Sequence, residues 1–258
     1  MSISINGIKC YNSVNEFQFG RFIIMKNFFV DYRISEEEMF NLRKLDCNVI
    51  KCPKCELLYD AVDGHPDMLL NITGEKRLVV HRNIDQGFLG YLGLLGFDAA
   101  LSRKTISDSY PYDVILNAVN LKDIFIHNLK HTDGNLMAAA EGKLLINVSQ
   151  GYTKCSCAVV SDHALITSDR SIQRALTDTD IDVLLLPPGD ILLPGLDYGF
   201  IGGTCGLIDE KHMAFYGDLA FYSYGKEVLE FLKKHDVEPI SLRRGKLADR
   251  GSILGFII

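Results

Sequence analysis

The sequence predicts an α/β fold built from five similar units that close into a ring. Four stretches of the chain follow the same order, a β-hairpin, then a helix, then a further strand. An apolar stretch at residues 251–258 has no partner of its own, and neither has a strand, helix and strand near the beginning. Joining these two ends makes a fifth unit, and a closed ring avoids exposed sheet edges. The alternative is an α/β or α+β domain with unrelated hairpins.

The early part of the chain carries clear local signals. Residues Phe22 to Met25 form an apolar run of strand length. Ser35 and Glu38 have the spacing of a capping box, and the first turn of the helix that they begin is acidic. A β-rich run from Asn48 stops at Pro53, which cannot continue a central strand. These signals predict the strand, helix and strand of the fifth unit.

The four repeated units are predicted from turn residues and apolar periodicity. Their hairpins are expected at residues 69–80, 114–127, 155–167 and 200–216. Their helices are expected at 85–95, 133–141, 168–179 and 225–235, and their closing strands at 97–101, 144–148, 182–186 and 238–242. We therefore expect one domain over residues 1–258.

Composition restricts the class of partner. The chain has 258 residues, 47% of them hydrophobic, and a net charge of −6. It can bury a full core, and its acidic balance disfavours nucleic acid and anionic membranes as partners. The first residues lack a signal-peptide pattern, and the most apolar window, residues 87–101, is interrupted by glycines. We expect a soluble cytoplasmic protein with reduced thiols, whose oligomeric state the sequence does not predict.

Two short segments carry chemistry-bearing side chains. His65 and Asp67 lie two residues apart at the start of the first hairpin, and Cys205 lies in a glycine-rich segment. Each has a plain alternative. Asp67 could accept backbone hydrogen bonds after Pro66 as part of a turn, and Cys205 could be a small core residue.

These segments resemble those of a known superfamily. Asp63 to Asp67 resembles the Gly-His-hydrophobic-Asp segment of agmatine deiminases, and Phe200 to Cys205 is similar to their late Gly-Gly…Cys segment. With the five units, this resembles the pentein, or α/β-propeller, superfamily, which includes deiminases, amidinotransferases and a non-enzymatic ribosome anti-association factor. The chain also resembles a clostridial-type bacterial family. The resemblance implies a five-bladed propeller of ββαβ units, the last shared between the termini, with a small-molecule ligand in an axial pocket.

The resemblance also implies roles for individual residues. His65 would move protons, Asp67 on the same strand face would clamp a guanidinium, and Cys205 would be the nucleophile. The further candidates for substrate binding are Asp63, Asn117, Cys155, Asp249 and Ser252. Cys155 is also the alternative nucleophile, from the same relative place in another unit. Arg250, beside Asp249, would repel a guanidinium.

The function therefore has competing hypotheses. One is a hydrolase or transferase that acts on an arginine-like or agmatine-like guanidine. The alternative is a non-enzymatic binding module for a small ligand or a macromolecule, and a third is a structural protein. No cofactor is expected. Cys52 and Cys55, with Cys47 upstream, are reminiscent of a zinc or redox site, but a second ligand pair is missing, so we expect no metal.

Overall fold

The computed structural model describes residues 26–256, which form five three-stranded sheets. The strands are β1 (Lys26–Asp31), β2 (Cys47–Cys52), β3 (Leu70–Gly74), β4 (Arg77–Val80), β5 (Asp98–Leu101), β6 (Val119–Asn120), β7 (Ile124–His127), β8 (Leu144–Asn147), β9 (Cys157–Ser161), β10 (Ala164–Thr167), β11 (Asp182–Leu185), β12 (Cys205–Asp209), β13 (His212–Phe215), β14 (Glu238–Ser241) and β15 (Leu254–Gly255). The helices are α1 (Glu36–Arg43), α2 (Pro66–Leu69), α3 (Gln86–Leu94), α4 (Gly134–Ala139), α5 (Thr153–Ser156), α6 (Arg170–Ala175) and α7 (Gly225–Lys234).

All five sheets follow one plan. The first strand pairs antiparallel with the second, and the second pairs parallel with the third. A helix joins the second strand to the third, as a parallel crossover requires. The sheets are β3-β4-β5, β6-β7-β8, β9-β10-β11, β12-β13-β14 and β15-β1-β2. The predicted order of hairpin, helix and strand is therefore present in every unit.

The fifth unit joins the two ends of the described chain. Phe28 of β1 pairs antiparallel with Gly255 of β15, and β1 pairs parallel with β2. The predicted strand at Phe22 to Met25 lies outside the described residues, and the strand found in this region begins at Lys26.

The capping box at the start of α1 forms as predicted. The Ser35 hydroxyl accepts from the Glu38 amide at 3.2 Å, and the Glu38 carboxylate accepts from the Ser35 amide at 2.9 Å. Glu38 is completely buried, and it also pairs with Arg243 at 3.0 Å and with Arg250 at 3.1 Å. These ion pairs fasten α1 to the segment that leads into β15.

A short turn precedes the first strand of each sheet, and we call these five segments the leading turns. They comprise residues 65–69, 114–118, 153–156, 201–204 and 249–253. Successive turns are linked by hydrogen bonds, namely Asp67 N to Gly251 O (3.3 Å), Asn117 Nδ2 to Asp67 O (3.0 Å), Lys154 N to Asn117 O (3.1 Å) and Ser252 N to Gly203 O (2.9 Å). The remaining junction joins the turns at 153–156 and 201–204. There a Cβ on Gly202 would lie 2.3 Å from the carbonyl oxygen of Cys157, the residue directly after the turn 153–156, so only glycine allows this approach.

Three expectations about the strands are wrong. Residues Val114 to Ala118 form a turn instead of a strand, because Asn117 caps the neighbouring segment through its side chain. Cys155 lies in the helical turn α5, and residues 201–204 form a 3-10 helix before β12. The five sheets also remain separate and do not close into one continuous sheet, because the leading turns meet through loops and side chains.

Within residues 26–256, no helix has both the length and the apolar character needed to cross a membrane.

Candidate functional site

Buried polar side chains gather where the leading turns meet. His65, Asp67, Asn117, Asp249 and Ser252 are each less than 5% exposed. They come from three different leading turns, so the fold assembles residues that are far apart in sequence. Five of the predicted site residues are thus brought together, while their predicted roles remain untested.

His65 lies between two carboxylates. Its Nε2 is 3.8 Å from Asp31 Oδ2, and its Nδ1 is 3.8 Å from Asp249 Oδ1. Nδ1 has no hydrogen-bond partner among the described residues although it is buried. The expectation that His65 and Asp67 share a strand face is wrong, because Pro66 starts α2 and residues two apart on a helical turn point in different directions.

Asp31 belongs to this site, and our sequence reasoning missed it. It ends β1 and is completely buried. Arg33 fixes the carboxylate through Nε at 2.9 Å and Nη2 at 2.5 Å. A carboxylate directly after the apolar run of β1 was the available signal, since such a group must be paired when it is buried.

Asp249 is held by backbone amides. Its Oδ2 accepts from Phe200 N at 2.8 Å and its Oδ1 from Gly251 N at 3.0 Å. Burial raises the pKa of this carboxyl, the charge of Asp67 raises it further, and His65 opposes the shift. Asp249 thus lies close enough to His65 for an electrostatic interaction, at 3.8 Å from Nδ1.

Asp67 has one satisfied and one free oxygen. Oδ2 accepts from the Ser252 hydroxyl at 2.6 Å, and that hydroxyl in turn accepts from Lys154 Nζ at 2.9 Å. Oδ1 is buried and has no hydrogen-bond partner among the described residues. Because an unpaired buried acceptor is costly, this oxygen is suited to a ligand that brings a hydrogen-bond donor.

The two candidate cysteines have different surroundings. The Cys155 sulfur accepts from Asn117 Nδ2 at 3.0 Å. Burial raises the pKa of Cys155 well above its usual value, and the charges of Asp67 and Asp249 raise it further. Burial also raises the pKa of Cys205, to about 11, although nearby Lys154 opposes the shift. The Cys205 sulfur contacts the carbonyl of Ile201 at 3.5 Å. Cys155 is therefore the thiol that lies among the acidic groups of the site.

Asp63 and Arg250 lie beside this cluster and are engaged elsewhere. Asp63 is bound by Arg33 at 3.3 Å, by Lys54 at 3.7 Å and by the Tyr32 hydroxyl at 3.2 Å. Its carboxylate is thus already neutralised by cations. Arg250 pairs with Glu38, so our expectation that it would repel a cation at the site is wrong.

A cavity of about 900 Å³ adjoins the cluster. Residues of the first strand of every sheet line it, so it runs between the five units. Asp67, Lys154 and Cys205 line this cavity, which we call the central cavity, and Cys155 does not. Its volume is typical of small-molecule sites.

The described residues contain no group of three or more His, Cys, Asp or Glu side chains placed to hold a metal ion. Cys47, Cys52 and Cys55 are buried free thiols, and burial raises the pKa of each.

Comparison with models of protein families identifies the family of this chain. One family model matches residues 29–254, which is most of the length of the chain. The chain belongs to the family of unknown function DUF6873. No curated protein matches this DUF6873 member.

Solved structures resemble the DUF6873 chain in fold. The inosamine-phosphate amidinotransferase StrB1 from Streptomyces griseus matches with a TM-score of 0.50 and 11% identity, over 81% of this chain and 74% of that one. SxtG, an amidinotransferase of the saxitoxin biosynthetic pathway from Microseira wollei, matches with a TM-score of 0.49 and 8% identity, over 84% and 88% of the chains. The predicted resemblance to amidinotransferases is therefore confirmed by StrB1 at the level of the α/β fold. The clostridial-type assignment stays a prediction.

Proposed function

We propose that this protein modifies a guanidine group, with the Cys155 thiol as nucleophile. One observation carries the proposal, namely that Cys155 lies beside Asp67 and Asn117 in a buried site that also contains His65 and Asp249. A soft nucleophile, carboxylates and an imidazole are the groups that this chemistry requires. Cys205 is the less suitable thiol, because its recorded hydrogen bond is to the carbonyl of Ile201.

The proposal includes a five-bladed propeller. The support is that each leading turn contacts the next, and that the fifth junction returns to the first. The central cavity between the first strands of all five sheets supports the same arrangement. Asp67 lines this cavity, so a small molecule in the cavity can contact the site.

The chemistry begins with the cation. A guanidinium donates hydrogen bonds to the free Oδ1 of Asp67 and to Asp249, and its positive charge lowers the pKa of the neighbouring thiol. His65 takes the proton of the Cys155 thiol, and the resulting thiolate attacks the guanidinium carbon, so that an S–C bond forms. As the C–N bond breaks, His65 gives a proton to the leaving amine or ammonia. Water or an acceptor amine next attacks the amidino thioether, the S–C bond breaks, and the thiolate is released.

The experiment follows the covalent intermediate. The protein is incubated with arginine, agmatine and guanidinoacetate, the release of ammonia or amine is measured, and intact mass reports an amidino group on the protein. We expect the adduct in wild type and in Cys205→Ser, and its loss in Cys155→Ser. His65→Gln should slow the release of the leaving amine at least about a hundredfold. An adduct that survives Cys155→Ser and disappears in Cys205→Ser would overturn the assignment.

A second function has its own support. The raised pKa of Cys155 means that the free protein holds a thiol instead of a thiolate at neutral pH, as expected of a ring that binds a guanidine without reacting. Calorimetry with the same guanidines separates the two functions. Binding without any adduct or product indicates a binding module. If the guanidines neither bind nor react, both functions are rejected.

A further inference from the structure

The inner end of the central cavity presents two opposite charges side by side. Asp67 and Lys154 both line the cavity, and the Ser252 hydroxyl connects them, at 2.6 Å from Asp67 Oδ2 and 2.9 Å from Lys154 Nζ. Ser252 holds this position with a φ of 75°, a left-handed conformation that serine rarely adopts. The backbone at Ser252 is therefore strained in the conformation that places its hydroxyl between Asp67 and Lys154.

Each of the two charged groups has unused hydrogen-bonding capacity. Asp67 is 1% exposed, and its Oδ1 has no partner among the described residues. Lys154 donates through Nζ to Ser252, and an ammonium has three donors. Asn71 is another buried residue that lines the cavity, and its Oδ1 accepts no hydrogen bond within residues 26–256. The inner end thus offers free acceptors beside a free donor.

The walls beyond this end are largely apolar. Apolar residues from four of the first strands and leading turns line the cavity, namely Leu70, Ile72, Val159, Val160, Leu207, Ile253 and Leu254. Charged side chains, including Lys122, Asp123, Asp162 and Glu210, lie at the far rim near the hairpin turns. A ligand that fits must have a polar head and an aliphatic body.

The charge pattern selects one kind of head. A plain amine would satisfy Asp67 and be repelled by Lys154, whereas a plain carboxylate would satisfy Lys154 and be repelled by Asp67. A zwitterion with an ammonium and a carboxylate on one carbon satisfies both. We infer that the central cavity binds a free aliphatic α-amino acid, with its ammonium on Asp67 and its carboxylate on Lys154.

This site overlaps the proposed catalytic centre at Asp67 and extends away from it into the central cavity. The two share Asp67, but Cys155 does not line the central cavity. Amino acid binding therefore requires no reaction at Cys155, and a guanidine should compete with the amino acid for the free oxygen of Asp67.

The test is calorimetry with norleucine, pentylamine and hexanoate, which share one aliphatic chain and differ in the charges of the head. We expect norleucine to bind at least about tenfold more tightly than either analogue, because each analogue leaves one charge unpaired. Extending the aliphatic side chain of the amino acid by one methylene should tighten binding about fourfold. Equal binding of pentylamine or hexanoate, or no binding of norleucine, would overturn the inference.

Four variants locate the ligand. Asp67→Asn should weaken norleucine and pentylamine, whereas Lys154→Met should weaken norleucine and hexanoate. Leu207→Trp fills the cavity and should abolish binding, while the matched change Leu229→Trp, at a 42% exposed position of α7, should leave binding intact. Circular dichroism confirms that each variant is folded. Retained binding in Leu207→Trp, or unchanged binding of norleucine in both Asp67→Asn and Lys154→Met, would place the ligand elsewhere and refute the inference.

Discussion

At the scale of single residues, His127 shows what burial does to a titratable group. Its side chain is fully buried, Nε2 donates to the carbonyl of Gly151 at 3.0 Å, and Nδ1 lies 2.7 Å from the Thr132 hydroxyl. Burial lowers the pKa of His127 to about 4, because the charged ring would lose its hydration. The native protein therefore contains this ring in the neutral form.

This shift predicts a pH dependence of stability. The unfolded chain takes up a proton on His127 below pH 6.5, whereas the folded protein does so only near pH 4. The contribution of His127 to the free energy of unfolding is therefore complete above pH 6.5 and decreases as the pH drops toward 4. The loss attributable to this residue is about 3 kcal/mol. Urea unfolding of wild type and His127→Gln at pH 7, 5.5 and 4 measures it.

The control for His127 is the exposed His163. We expect His163→Gln to keep the wild-type profile, while His127→Gln should show a shallower fall between pH 6.5 and 4; the remaining fall comes from His81, whose pKa burial also lowers to about 4. Parallel profiles for wild type and His127→Gln would show that the buried ring does not cause the dependence.

At the scale of elements, the leading turn before β15 depends on Gly251. Its φ is +68°, and an added Cβ would lie 2.2 Å from the Cβ of His65. Gly142, at φ +85°, has nothing within 4 Å of the same position. The two glycines therefore share a left-handed backbone and differ in what surrounds them.

This difference predicts unequal costs for alanine. Gly142→Ala should lower the free energy of unfolding by about 1 kcal/mol, from backbone strain alone. Gly251→Ala should cost about 3 kcal/mol or more, because the methyl group also pushes His65 away from Asp31 and Asp249. Urea denaturation compares them, and equal losses would show that the contact with His65 can relax.

Local elements were predictable where local interactions decide them. The capping box of Ser35 and Glu38, and the order of hairpin, helix and strand, depend on nearby residues. The turn at Val114 to Ala118 was missed, because Asn117 meets the amides of Lys154 and Cys155 only in the folded chain. Apolar residues in a buried turn have the same pattern as a strand.

The distinction between local and long-range interactions also applies to the candidate site. His65, Asp67 and Asp249 were predictable from the superfamily resemblance and from carboxylates near strand starts. Asp31 was missed because its partner Arg33 is only two residues away, so the pair resembles an ordinary surface ion pair unless its place directly after the apolar run of β1 is weighed. The proposed preference for Cys155 over Cys205 needed the folded geometry, because only the structure shows that Cys155 lies within a leading turn and that Cys205 begins β12.

At the scale of the whole molecule, Ile253 connects the last leading turn to the rest of the fold. It is 2% exposed, and its amide donates to the carbonyl of Cys205 at 3.1 Å. It packs in the cluster that also contains Phe28 of β1. One residue near the end of the chain therefore contacts two different sheets.

Shortening this side chain should destabilise both sheets together. We expect Ile253→Ala to cost about 3 kcal/mol through the cavity that it leaves. Hydrogen exchange at the β1 amides of Phe28 and Phe29 should then quicken about a hundredfold, since they open with the global fold. Leu229→Ala on the exposed face of α7 is the control and should change neither. A loss confined to residues 250–256 would show that the fifth unit unfolds independently.

The pairing of β15 with β1 has a consequence for chain connectivity. Because Phe28 lies opposite Gly255, the two ends of the described chain meet in one sheet. A short linker from Phe256 to Lys26 would permit circular permutation, with new termini in a hairpin turn within one of the other four units. The contacts around the site would be unchanged by such a rearrangement, because they join leading turns in space. The order in which His65, Cys155 and Asp249 occur along the chain is therefore free to differ between proteins that share this arrangement.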